Sequence, residues 1–344
     1  MKIKSLAIAV ASTFIASTSA FAAQVYSGDG TSLAVGGYVD VGIGKYFSDD
    51  VEVHQVSPRI NIEGKKDIGN GVTVDAKGEW ALNYLDGGDN SFTTRLGYIG
   101  VTHEKAGRAV AGTQWSPYYD VAGVADLPIA FANDFLYSNH NNLGSARAEK
   151  MVSYRNTLVV SSDISLNVGL GWQGKHTDTV DTTSLAGSTV VTTRSTADYD
   201  PRGQIAVSGD FAGVGVGYVY SAGDVGTENA KSHMVSVNYG TYGKGLYVAG
   251  VLGKNEYFYK GLAETNQYEA LMAFGLDNGV NLSVNYESVE DDKDSKTQYS
   301  QSALQVEYTV ATGLVTFVGY QFDLGNDLDI EEEDFYTAGV RYFF

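Results

Sequence analysis

The feature that most constrains this chain is an alternation of apolar and polar side chains that recurs along it. Residues 280–290, VNLSVNYESVE, place Val, Leu, Val and Tyr at every second position, with Asn, Ser, Asn and Glu between them. The same period of two returns in DISLNVGLGWQGK and in SALQVEYTV. Because successive side chains of a β-strand point to opposite faces, each segment predicts a strand with one apolar and one polar face.

Tight turns and long connections alternate between these segments. The glycine-rich turns lie at residues 68–71, 211–213, 241–245 and 277–279, and the long acidic or polar connections, which we predict as loops, at 48–56, 177–199, 289–296 and 325–334. Short turns at one rim and long loops at the other are typical of bacterial outer-membrane barrels. About 16 alternating segments between Leu33 and Phe344 predict an all-β transmembrane antiparallel β-barrel with an aqueous lumen.

The composition supports this fold. Cysteine is absent, so disulfides cannot hold an exported chain of this size, whereas 41 glycines, 24 tyrosines and 14 phenylalanines favour pleated, aromatic-rich sheet. A soluble β-sandwich would also alternate, but tyrosines near strand ends favour a membrane girdle. These tyrosines are Tyr218, Tyr220, Tyr239, Tyr247, Tyr320 and Tyr342. The net charge of -18 argues against a nucleic-acid partner.

The first residues have the features of a secretory signal peptide. Lys2 and Lys4 precede an uncharged apolar run that closes on the small residues Ala20 and Ala22. We therefore expect cleavage after Ala22, with residues 23–344 forming a single barrel domain. No later segment approaches the roughly 20 apolar residues that a spanning helix needs.

The alternation stops within residues 113–150. This stretch contains Pro117, Pro128 and several aromatic residues, which makes it too hydrophobic for a disordered segment. In a barrel wide enough for water, the surface available to it is the inner wall. We therefore predict a long loop that folds into the lumen and narrows it.

Several segments resemble the general diffusion porins of Gram-negative bacteria, a family of trimeric 16-stranded barrels. SPRINIEGKKDI and FTTRLGYIGV are similar to two of the family's early strands, YYDVAG and DLPIAFAND to its constriction loop, and MVSYRN to the strand that follows. The final Tyr342 and Phe344 are similar to the terminal signal that the family's barrel assembly machinery reads. The resemblance implies an outer-membrane location, a homotrimer and contacts with outer-membrane lipid and lipopolysaccharide.

In that family, arginines on the wall face acidic residues on the loop across the narrowest point. The resemblance matches the wall arginines to Arg59, Arg95 and Arg147, and the loop acids to Asp120, Asp126 and Asp134. Two positions depart from the pattern, because Tyr38 replaces a basic wall residue and Ala130 replaces a loop acid. The alternation agrees for Arg59 and Arg95, which lie opposite in parity to Ile60 and Leu96 and therefore face the lumen.

The predicted function is passive diffusion of ions and small hydrophilic solutes, with a modest cation preference, no cofactor and no enzymatic activity. A substrate-specific porin, for an oligosaccharide for example, stays open because Trp115, Tyr118 and Tyr119 could line its path. A barrel hydrolase using SNHNN around His140, or a barrel without conductance, stays open as well. The five histidines are scattered without ligand spacing, so no metal site is expected from them.

Overall fold

The computed structural model describes residues 22–85, 92–133, 142–161, 164–186, 189–328 and 333–344, with side chains described except over 179–195. Within these residues one α-helix, α1 (Pro117–Ala122), interrupts a series of β-strands. The strands are β1 (Ala23–Gly28), β2 (Thr31–Lys45), β3 (Glu52–His54), β4 (Arg59–Gly69), β5 (Val72–Leu82), β6 (Phe92–His103), β7 (Gly107–Trp115), β8 (Arg147–Ser161), β9 (Ile164–Gln173), β10 (His176–Ala186), β11 (Thr189–Tyr199), β12 (Arg202–Phe211), β13 (Val214–Val225), β14 (Glu228–Thr241), β15 (Lys244–Glu256), β16 (Thr265–Gly275), β17 (Val280–Asp291), β18 (Lys296–Ala311), β19 (Leu314–Asp323) and β20 (Phe335–Phe343). No helix among the described residues is long and apolar enough to cross a membrane.

The strands close into a barrel. In the described part of the chain, β2, β4 to β9 and β12 to β20 form a ring of 16 strands, each antiparallel to its neighbours. The ring closes where β20 pairs with β2, from Tyr38 opposite Phe343 to Lys45 opposite Tyr336. The prediction of an antiparallel barrel of about 16 strands is confirmed. Closure leaves no open sheet edge in the ring, as a membrane-spanning sheet requires.

The barrel is polar inside and apolar outside. On β16, Tyr268 and Met272 are exposed on the outer face, whereas Gln267 and Glu269 are buried on the lumen side. This arrangement of polar and apolar faces is the reverse of that in a soluble β-sandwich, and it suits a barrel whose outer face contacts lipid. The prediction of an aromatic girdle is wrong for Tyr247. This residue is 5 % exposed and faces the lumen, where its hydroxyl donates to the Val124 carbonyl over 2.8 Å.

The two rims differ as predicted. Asn70 and Gly71 form a tight turn between β4 and β5 with positive φ angles of 55° and 74°, a conformation that Asn and Gly tolerate best. At the other rim, the connections from β2 to β4, from β7 to β8 and from β19 to β20 are longer. The prediction of a loop over 177–199 is wrong, because β10 and β11 pair as a hairpin from His176 opposite Tyr199 to Ala186 opposite Thr189. The connection at 289–296 is also shorter than expected, because β17 extends to Asp291 and β18 begins at Lys296.

Strand β1 was not anticipated from the sequence. It pairs with the first part of β2, where Ala23 lies opposite Val35, and so continues the line of β20 beyond the C-terminus. Gly37 and Phe344 exchange two backbone hydrogen bonds of 3.1 Å. A Cβ on Gly36 would lie 3.3 Å from the Phe344 carbonyl oxygen, so glycine leaves room for the C-terminal residue beside β2.

Candidate functional site

The long connection after β7 folds into the lumen, as predicted. Ser116 caps α1 by accepting a hydrogen bond of 3.2 Å from the Tyr119 amide, and Pro117 occupies the first turn, where its missing N–H costs nothing. Tyr118 is fully buried against the wall. Its amide donates to the Gln204 side chain over 3.2 Å, and its hydroxyl lies 2.8 Å from the Ser232 hydroxyl. The helix is therefore fixed to β12 and β14.

The second half of this loop is held by another part of the wall. The Ile129 amide donates to Glu307 Oε1 over 2.8 Å, and the amides of Ala130 and Phe131 both lie 3.1 Å from Gln305 Oε1. Both acceptors belong to β18, several strands away from β12 and β14. The loop thus crosses the lumen, and its main-chain donors are satisfied by side chains of the wall.

A cluster of charged side chains on the wall surrounds Glu79. Arg95 Nε lies 3.0 Å from Glu79 Oε1, and Arg59 Nη1 lies 3.7 Å from the same oxygen. Lys77 Nζ lies 3.9 Å from Glu79 Oε2. Two of the predicted wall arginines therefore meet at one carboxylate. Glu79 and Lys77 were not predicted as site residues. Their lumen position could have been predicted from the sequence, because they lie two residues apart on β5 and so share one face of the strand.

Tyr38 lies between two arginines. The Arg59 guanidinium carbon is 4.8 Å from the centroid of its ring, and the Arg341 guanidinium carbon is 4.1 Å from it. Arg341 also pairs with Asp40, with Nη2 2.9 Å from Oδ2. An aromatic ring in the place of a base thus packs against cations on both sides, and β20 supplies a lumen arginine beside it.

The other predicted site residues are distributed around the loop. Arg147 begins β8 opposite Trp115 and interacts electrostatically with Arg59 and Arg95. The Asp126 carboxylate accepts a hydrogen bond from the Tyr119 hydroxyl and attracts the same two arginines. Asp134 lies outside the described residues.

Asp120 and Ala130 occupy less open positions than the resemblance suggests. Asp120 on α1 pairs with Arg155 of β8, with 2.5 Å between Oδ2 and Nε, and Arg155 also donates to the Trp115 carbonyl over 2.7 Å. Ala130 is 7 % exposed, and its carbonyl accepts from the Tyr46 hydroxyl over 3.1 Å. Asp120 therefore holds the helix to the wall, and Ala130 packs against the wall at the other end of the loop.

A cavity of about 930 Å³ lies between the loop and the rim of short turns. It is lined by Arg59, Glu79, Asp120, Ile129, Glu307 and Arg341, among others. The mixture of charged and apolar side chains is that of an aqueous passage rather than of a packed core.

A family model described as Gram-negative porin matches residues 6–344. The chain belongs to the Gram-negative porin family. This porin is therefore a diffusion channel of the outer membrane and not an enzyme, and the predictions of family, fold class and general function are confirmed.

Individual relatives agree with the family match. This porin is 32% identical to outer membrane protein S2 of Salmonella typhi over 182 residues, which are 51% of this chain and 46% of the relative. The alignment thus spans about half the length of that relative. This porin is also 26% identical to outer membrane porin C of Enterobacter cloacae over 360 residues. That alignment covers 100% of this chain and 89% of the relative.

Solved structures show the same fold. The Salmonella typhi OmpF complex with daunomycin superposes with a TM-score of 0.73 at 17% identity, covering 94% of this chain and 100% of that one. An anion-selective porin from Comamonas acidovorans superposes with a TM-score of 0.64 at 14% identity, covering 91% of this chain and 100% of that one.

Proposed function

We propose that the lumen carries ions and small hydrophilic solutes by passive diffusion, and that the loop from Trp115 to Arg147 sets the size limit. The observation that supports this most directly is the path of the loop. It is hydrogen-bonded at Tyr118 to β12 and β14 and at Ile129 to β18, so it obstructs part of the cross-section while a cavity remains beneath it.

We assign the narrowest point to the space between Asp126 on the loop and the wall arginines Arg59, Arg95 and Arg147. Arg59 and Arg95 share Glu79, and Arg147 adds a further positive charge close to both. Oppositely charged sides of a narrow passage produce a transverse field that orients dipolar solutes. Tyr38 separates Arg59 from Arg341 on this wall without adding charge, and Ala130 removes an acid from the loop side.

The ion selectivity follows from how the lumen charges are paired. Asp40, Asp75 and Asp120 each bind an arginine, namely Arg341, Arg108 and Arg155. The charge of these three lumen acids is therefore compensated by arginines. We infer that any cation preference is small, despite a net charge of -18.

A substrate-specific porin is less well supported. Tyr118 is fully buried, Tyr119 is 5 % exposed, and Trp115 packs on Tyr119 with 4.3 Å between ring centroids. These aromatics anchor the loop and do not present a row of exposed rings on which a sugar could slide. Passive diffusion therefore fits the arrangement better.

Membership in the family suggests the remaining partners. We propose a homotrimer in contact with outer-membrane lipid and lipopolysaccharide, and a mature single domain of residues 23–344 after cleavage behind Ala22. Tyr342 is 51% exposed on the outer face, and Phe344 directly follows the closing strand β20. These two residues are the proposed signal for the barrel assembly machinery.

Planar-bilayer recording tests the proposed function. We expect conductance that rises in proportion to salt concentration, in steps of three that close together. Saturation of the current by a particular oligosaccharide at low concentration would favour the substrate-specific alternative. No ion current at all from correctly folded protein would contradict the channel.

A further inference from the structure

The turn between β14 and β15 bends into the lumen at the rim of short turns. Gly275, the last residue of β16, shares parity with the lumen residues Gln267 and Glu269. A Cβ placed on Gly275 would lie 2.2 Å from the carbonyl carbon of Gly243 in the turn. The turn therefore lies directly on the lumen face of the neighbouring strand, and glycine at position 275 leaves the room for it.

Tyr242 extends from this turn along the lumen wall. Its hydroxyl donates to Glu307 Oε1 of β18 over 3.2 Å. Strands β16 and β17 lie between β15 and β18 in the sheet. At a strand spacing of about 4.8 Å, roughly 14 Å of wall separates β15 from β18. The turn and its tyrosine together therefore cover the lumen faces of β16 and β17 near the rim of short turns.

The Tyr242 ring is held in this position by contacts that also reach the loop after β7. It meets the Tyr247 ring edge-on, with 6.0 Å between centroids and an interplanar angle of 88°. The Tyr247 hydroxyl donates to the Val124 carbonyl of the loop, and Glu307 Oε1 also accepts from the Ile129 amide. A ring fixed at its face and at its hydroxyl is a permanent part of the passage.

Tyr242 borders the cavity beneath the loop. The lining of this cavity includes Tyr242 and Gly243 of the turn together with the wall arginines Arg59 and Arg341. Tyr242 is half-buried, so part of its ring stays open to the cavity. A solute that has passed the loop therefore meets this ring before it leaves the lumen at the rim of short turns.

We propose that Tyr242 is a second size-determining residue of the pore, placed between the loop and the rim of short turns. This inference rests on the proposed diffusion through the lumen. The resistances of successive narrow segments add, so a ring beyond the loop lowers the flux even where the loop is the narrower obstacle. The ring is uncharged and its hydroxyl is bound to Glu307, so it acts on the size of a solute.

Single-channel recording and liposome swelling with the full mature chain test this role. Tyr242→Ala should raise the conductance about 1.2-fold or more, and it should raise the swelling rate with a trisaccharide more than with a monosaccharide. Tyr242→Phe keeps the ring and loses only the hydrogen bond to Glu307, so it should conduct like the wild type. The matched control is Tyr239→Ala, which removes a tyrosine that is 49% exposed on the outer face of β14 and should change neither quantity.

A cysteine variant gives a second test within one folded channel. The chain contains no cysteine, so Tyr242→Cys supplies a single thiol beside the cavity. Attachment of a methanethiosulfonate reagent that carries a trimethylammonium group should lower the conductance of this variant, and a reductant should restore it. Tyr239→Cys, which faces lipid, should not respond. Migration on unboiled gels confirms that each variant has folded.

Three results would overturn the proposal while leaving the channel in place. They are unchanged conductance and swelling in Tyr242→Ala, an equal rise in Tyr242→Phe or Tyr239→Ala, and no response of Tyr242→Cys to the reagent. An equal rise in Tyr242→Phe would assign the effect to the loss of the bond to Glu307 and not to the ring. No current from the folded wild type would instead contradict the diffusion channel, and with it this role of Tyr242.

Discussion

The guanidinium group of Arg341 lies 2.9 Å from the Asp40 carboxylate and 4.1 Å from the centroid of the Tyr38 ring, which joins the last strand of the barrel to the first. Asp40 and Arg341 are 3 % and 7 % exposed, and Asp40 Oδ1 also accepts from the Val56 amide over 2.9 Å. The pair therefore belongs to the closure of the barrel as much as to the charge of the lumen.

Asp40→Asn should destabilise this closure. The substitution keeps the shape of the side chain but leaves the Arg341 guanidinium without its carboxylate, which we expect to cost about 2 kcal/mol. Urea unfolding in detergent, followed by tryptophan fluorescence, measures the change in the free energy of unfolding. Glu333→Gln is the control, because it removes an ion pair with Lys45 that lies at the exposed rim. Equal stability of Asp40→Asn and wild type would show that the pair contributes nothing to closure.

Arg95→Gln should move the ion selectivity of the pore toward cations. It removes a positive charge 3.0 Å from Glu79 and so leaves that carboxylate less compensated at the proposed narrowest point. The reversal potential across a tenfold salt gradient measures the effect. Lys65→Gln removes the same charge from a side chain that is 52% exposed toward the rim of short turns, and it should shift the potential less. An unchanged potential in Arg95→Gln would place the narrowest point elsewhere.

Arg155→Met should loosen the loop without unfolding the barrel. Arg155 holds Asp120 of α1 and the Trp115 carbonyl, so its loss frees the start of the loop from β8. We expect channel closure at a lower applied voltage and noisier single-channel current. The control is Asn167→Ala on neighbouring β9. The side chain of Asn167 forms hydrogen bonds with Thr157 and Ser208, which both belong to the wall and not to the loop. Identical closing voltages in all three proteins would contradict a tethering role.

Gly44→Ala should block assembly, whereas Gly64→Ala should not. A Cβ on Gly44 would lie 2.1 Å from the Tyr336 carbonyl oxygen of the closing strand, a distance that no side chain can occupy. A Cβ on Gly64 meets nothing within 4 Å. The fraction of heat-modifiable folded protein on unboiled gels separates the two. Normal folding of Gly44→Ala would mean that the β2–β20 seam can widen.

Much of the barrel could be predicted because strand parity is local. The lumen positions of Arg59 and Arg95 follow from their neighbours alone, and so would those of Glu79 and Arg155. Tyr247 also faces the lumen, since its neighbours Leu246 and Val248 are exposed on the outer face. Its parity therefore contradicts the prediction that it belongs to the aromatic girdle. Parity is therefore a stronger guide than the general habit of tyrosine to lie at membrane surfaces.

Other features could not be derived from local pattern. The contact of Arg341 with Tyr38 joins residues at opposite ends of the chain and exists only once the ring is closed. Alternation in the sequence does not indicate the β10–β11 hairpin, because Thr, Ser and Asp occupy both parities within residues 177–199. The pairing of Asp120 with Arg155 depends on how α1 lies against the wall, which no spacing in the sequence reveals.

The pairing of β2 with β20 has a consequence for how the protein is made. The first long strand to leave the ribosome finds its second partner only when the nine residues of β20, Phe335–Phe343, have been synthesised. A truncated chain would keep two unpaired strand edges, and in lipid each unsatisfied backbone group costs several kcal/mol. Only a chain that includes β20 can therefore close the ring into a stable barrel. A chain that lacks β20 keeps open strand edges, which distinguish it from the folded barrel.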